Sequence, residues 1–158
     1  MASLDMFLIT SIGRTIMGLM AALMLGFVGY LVWSVSFPPL AGLTFQTFTV
    51  VNSMASVVIL GTAGAWFKFQ AEWRTRFIGW ALIVFGALLG GWVGYKIGYD
   101  RGVAELIKVY GHIPGGEFRV PTNSGIQWSL MLGAVMANVM ALGYHVWRLL
   151  RYDDPGDF

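Results

Sequence analysis

The amino-acid sequence predicts an all-α integral membrane protein: one bundle of four transmembrane helices packed through glycine and other small residues. Three observations carry that expectation. Apolar residues make up 57% of the 158 and charged residues only 11%, with a mean hydropathy of +0.69, whereas a water-soluble domain is about a quarter charged. The charges stand between long apolar runs instead of being spread over a patterned surface. Within those runs small residues recur every fourth position, which lines one face of a helix. A spanning helix needs about 20 residues, so four helices and their connections form a single domain over 1–158 and leave no room for a soluble catalytic one.

The first helix is expected over about 14–37. No charge interrupts the chain from Ile16 to Val35, and Pro38 and Pro39, lacking an amide donor and clashing with the preceding turn, end it. Residues 6–13 are apolar as well, and either lengthen this helix past Arg14 or lie in the membrane interface. The apolar run beyond Arg14 is too long for a signal-peptide core, so the N-terminus reads as retained. A second helix is expected over about 47–68, followed by a charged elbow of Lys68, Glu72, Arg74 and Arg76 around Trp73. The third, over about 76–110, leaves the membrane near Gly98. Its extension carries Val103, Leu106, Ile107 and Tyr110 on one face and Arg101, Glu105 and Lys108 on the other. Pro114, Gly115, Gly116, Pro121 and Asn123 then mark a loop over 111–125. Ser124 and Gln127 have capping-box spacing, which places the start of the fourth helix at 124 and its end near 150.

Cations set the orientation. Arg14, Lys68, Arg74, Arg76, Arg148 and Arg151 fall on one side, against Lys96, Arg101, Lys108 and Arg119 on the other. The excess predicts that both termini face the cytoplasm or matrix, in a bacterial inner membrane or a mitochondrial inner membrane. Trp33, Tyr99 and Trp128 would form one aromatic belt, and Trp66, Trp73, Tyr144 and Trp147 the other.

The most informative pattern lies in helix three, where Gly86, Gly90, Gly94 and Gly98 make a groove without side chains. Helix four offers Ser129, Gly133, Ala137 and Ala141 at the same spacing, and helix one offers Gly18, Ala22 and Gly26; Ser53, Ser56, Gly61 and Gly64 on helix two are less regular. Lipid supplies little hydrophobic drive between helices, so association depends on close backbone approach, dispersion and weak hydrogen bonds. Helix three is therefore expected to pack against helix four or helix one along these stripes. Ordinary packing is the plainer reading of such a stripe; a pore lining would need polar partners across the groove, and only Asn52 and Asn138 offer amides.

Site chemistry is sparse. Cysteine is absent, which excludes disulfides, thiolate metal sites and thiol nucleophiles. A net charge of +2 from scattered Lys and Arg leaves no footprint for nucleic acid. No carboxylate falls at membrane depth; Glu72 with Arg76 and Arg101 with Glu105 read as surface pairs. Phosphate-loop, zinc and nucleophile-elbow motifs are missing. His145 could ligate a haem or pigment, but His112 belongs to the turn-rich loop across the membrane, so an interfacial, hydrogen-bonded His145 is expected. The sequence thus leads to a non-catalytic accessory subunit of a larger respiratory, ATP-synthase or photosynthetic assembly, with other integral membrane subunits and lipids as partners. No cofactor, metal or small-molecule substrate is expected. A homo-oligomeric channel or carrier, and a haem or pigment carrier using His145, are the alternatives.

Overall fold

A computed structural model describes residues 2–36, 44–66, 73–113 and 119–152. They form four helices: α1 (Ala2–Ser36), α2 (Thr44–Trp66), α3 (Trp73–Tyr110) and α4 (Arg119–Tyr152). Each is long and apolar enough to cross a membrane. The chain-breaking Pro38 and Pro39, the elbow residues Lys68 and Glu72, most of the turn cluster and the acidic tail lie outside the described residues, as do the side chains of Trp33 and Trp73.

Two helix starts differ from the sequence expectation. Helix α1 begins at Ala2, not near 14, so 6–13 is helical and Arg14 stands inside a 35-residue helix. Nothing between 2 and 13 breaks a helix, and the Thr15 hydroxyl closes onto the Ser11 carbonyl at 2.8 Å. Helix α4 begins at Arg119, so Ser124 lies within it and is not its cap. Pro121 is tolerated because the first turn of a helix leaves its amides unbonded in any case. Tertiary packing extends the turn: a methyl added at Gly102 of α3 would stand 2.6 Å from the Pro121 Cα.

At 38 residues α3 is about 57 Å long by helical rise, nearly twice the roughly 30 Å of a bilayer's hydrocarbon. It stops at Gly111, whose φ of 74° is left-handed and whose amide donates to the Ile107 carbonyl at 2.8 Å. That is a glycine cap, requiring a residue without Cβ strain. Gly111→Ala is expected to cost about 1 kcal/mol from backbone strain alone, since nothing lies within 4 Å of the new methyl. Gly111→Asn should cost less, and thermal unfolding in detergent measures both.

The helices pack as a four-cornered bundle. Helices α2 and α4 each touch all three others, α3 and α4 share the most extensive interface, and α1 and α3 do not meet among the described residues. Val50, Val51, Val58, Ile83, Ala87, Ile126, Ala134 and Ala137 fill the centre. Along α3, a methyl on Gly86 would lie 2.7 Å from the Met136 carbonyl oxygen, and methyls on Gly90, Gly94 and Gly98 would strike the carbonyl oxygens of Leu132, Trp128 and Ser124. Phe85 and Trp92 point outward from the same helix.

Candidate functional site

The sequence-predicted small residues occupy three contact lines. Gly90 and Gly94 of α3 lie over the peptides that lead into Gly133 and Ser129 of α4, while Gly133 itself faces the Ala87 carbonyl and the Gly91 backbone. Ala137 and Ala141 are fully buried. On α1, Ala22 crosses Gly61 of α2 so closely that a methyl on Gly61 would be 2.6 Å from the Ala22 nitrogen, and a methyl on Gly26 would be 2.7 Å from Leu130 Cδ2. Gly18, the third α1 position, has a different neighbour: any Cβ there would strike Asn138 Oδ1, with Trp66 Nε1 next to it.

That contact opens onto a buried polar network that hydrogen bonds connect across helices. Asn138, 1% exposed, accepts a hydrogen bond from the Trp66 indole N–H at 2.9 Å. Its own Nδ2 donates to the Thr62 hydroxyl at 3.3 Å and to the Ala134 carbonyl at 2.9 Å. An amide in hydrocarbon is costly unless its donors and acceptors are used, and here each atom has a partner. Two helices supply those partners, and glycine on a third gives the amide oxygen its room. Two turns further along α4, His145 is 4% exposed and lies tilted against the Trp66 ring, centroids 5.8 Å apart.

Sequence reasoning set Trp66, Tyr144 and His145 at the membrane interface. The bundle buries all three: Trp66 is 1% and Tyr144 6% exposed. Their exposure speaks to packing between helices and not to depth, and within the bundle the Trp66 indole N–H is used by the Asn138 amide oxygen. Trp147 remains exposed, stacked on Tyr144 and approached by the Arg151 guanidinium. No periodicity in one helix names a partner on another, so the Trp66–Asn138 pair had no signal beyond the two residue types.

A second cluster lies at the opposite end. Tyr95 of α3 shares hydrogen bonds with the Thr47 and Thr122 side chains, stacks on Tyr99, and fills space that only Gly125 leaves open. The Arg101 guanidinium sits 4.3 Å above the Trp128 ring, a cation–π contact that holds the α3 extension to α4. His112 is exposed beside Tyr110, at this same end. From Arg119 to His145 is about 39 Å of helical rise, so the two histidines of the chain cannot ligate one group. Among the described residues, no three His, Asp or Glu side chains gather as a metal site would need.

No protein-family model, curated protein or solved structure matches the chain.

Proposed function

We propose that this chain is a non-catalytic accessory subunit of a larger assembly in a bacterial or mitochondrial inner membrane, of respiratory, ATP-synthase or photosynthetic type. Both termini face the cytoplasm or matrix, and the partners are other integral membrane subunits and lipids. The observation that carries the reading is a contrast within one bundle. The interior is filled by Val51, Ile83, Ala87 and Ala134, all fully buried, and its deepest amide is hydrogen-bonded on every side. The outer face of α1, by contrast, presents Ile9, Met17, Met20, Met24 and Phe27, each more than half exposed. Methionines fill irregular gaps and suit a surface that packs against a neighbouring subunit.

In this reading the glycine rows of α3 and the small residues of α1 and α4 are structural. They let the four helices close on one another, so that the chain presents a rigid body to its neighbours. Purification of the native protein in mild detergent tests the proposal. A particle heavier than the 17.4 kDa chain, with defined membrane proteins co-eluting, is the expected result, and Met24→Lys on α1 should release them while the helical content stays intact. A monodisperse single chain, with or without that substitution, would sink it.

A further inference from the structure

One position in the α4 contact line departs from pure packing. Gly133, Ala137 and Ala141 carry no polar side-chain atom, whereas Ser129, at the same spacing, carries a hydroxyl. Alanine would fill that place equally well, because a seam between membrane helices asks only for small residues. Ser129 is 2% exposed and lies well inside the apolar span Arg119–Arg148, and its Oγ is buried with no hydrogen-bond partner. In hydrocarbon no bulk water compensates for that, so such a hydroxyl is costly.

The hydroxyl is aimed at Gly91 of α3. Gly91 is buried, yet a methyl built on it would stand 3.4 Å from Ser129 Oγ and 3.5 Å from Val51 Cγ1 of α2, both ordinary contact distances. On either side, methyls on Gly90 and Gly94 would strike backbone carbonyls of α4. The described atoms therefore leave room for one methyl-sized group where α2, α3 and α4 meet, with a hydroxyl pointing into it. A second polar atom lies close by. The Ala87 carbonyl oxygen faces α4, 3.3 Å from where a methyl on Gly133 would stand, and the Gly91 nitrogen is 3.6 Å from the same point. That carbonyl takes the Gly91 amide within the helix and keeps a second lone pair.

A group of methyl size that both donates and accepts hydrogen bonds is a water molecule, which needs two to four polar partners to be held in a buried place. We propose that a single water binds among Val51, Gly91 and Ser129. The Ser129 hydroxyl donates to the water oxygen, and the water donates to the Ala87 carbonyl oxygen. The bridge ties α4 to α3 by hydrogen bonds at a depth without bulk water and gives the serine its partner. It does not depend on the chain being an accessory subunit.

Water-selective nuclear Overhauser spectra of the full chain in deuterated detergent micelles test it, together with a double-mutant cycle. A cross-peak from a long-lived water to the Gly91 α protons is expected, and Ser129→Ala should abolish it. In unfolding by sodium dodecyl sulfate, Gly91→Ala should raise the folding equilibrium constant of the Ser129→Ala chain about fivefold, the helix-propensity gain of alanine. With Ser129 present the same methyl displaces the water and leaves the hydroxyl unpartnered, so the gain should vanish. Both results together support the site. Absence of the cross-peak, or an equal gain in the two backgrounds, would mean that the hydroxyl turns onto its own helix or stays dry, and either overturns the proposal.

Discussion

Gly94→Val is expected to lower the stability of the bundle by about 3 kcal/mol or more, at the upper end of what overpacking costs. The added side chain would meet the Trp128 carbonyl oxygen and the Ser129 Cα. These are backbone atoms of a regular helix and cannot rotate away, so α4 must move as a body. Gly90→Val should behave alike against Leu132. Gly64→Ala and Gly143→Ala are the counterparts, because nothing stands within 4 Å of either position. There the better helix propensity of alanine, worth about 0.8–1 kcal/mol, should leave stability unchanged or raised. Unfolding by titration with sodium dodecyl sulfate in mixed micelles gives both signs. If Gly94→Val proved as mild as Gly64→Ala, close backbone approach would not be what holds α3 to α4.

Trp66→Ala is expected to cost about 3 kcal/mol, the low end for deleting a buried aromatic, because it empties the space beneath His145 and strips the Asn138 oxygen of its donor. Trp66→Phe separates these effects. It keeps most of the ring and removes the N–H, and should cost about 1 kcal/mol. In a double-mutant cycle with Asn138→Ala, the coupling should fall within about 0.6–1.7 kcal/mol, between the average and the maximum measured for hydrogen bonds between membrane helices. A coupling indistinguishable from zero would show that the contact adds nothing beyond packing.

The helices themselves were legible because the choice of solvent dominates this chain: apolar runs of spanning length can satisfy their backbone only as helices. Boundaries were less so. The capping-box spacing at Ser124 is a local signal, and contact between Gly102 and Pro121 overrides it by rewarding an earlier start. The apolar stretch before Arg14 was ambiguous for a different reason, since a cation near a helix end can snorkel and need not end the span. The fourfold glycine spacing marked which face of α3 has no side chains, but offered α4 and α1 equally; α3 lies against α4 and away from α1. Least legible was the polar network. Asn138 was recognisable as an amide at depth, yet its partners Trp66 and Thr62 come from a helix 72 and 76 positions away, and only the tertiary arrangement joins them.

Because α1 and α3 do not touch among the described residues while consecutive helices do, the bundle can be seen as two hairpins laid side by side. Each can zip locally as it leaves the translocon, the first before the second exists. The second hairpin, with α3 seated on α4 backbone to backbone, is the sturdier, and the first has only to slide onto the flank it offers. The α1 span, the least covered of the four, is also the helix from which a neighbouring subunit could most readily borrow space, without disturbing the pair at the far corner.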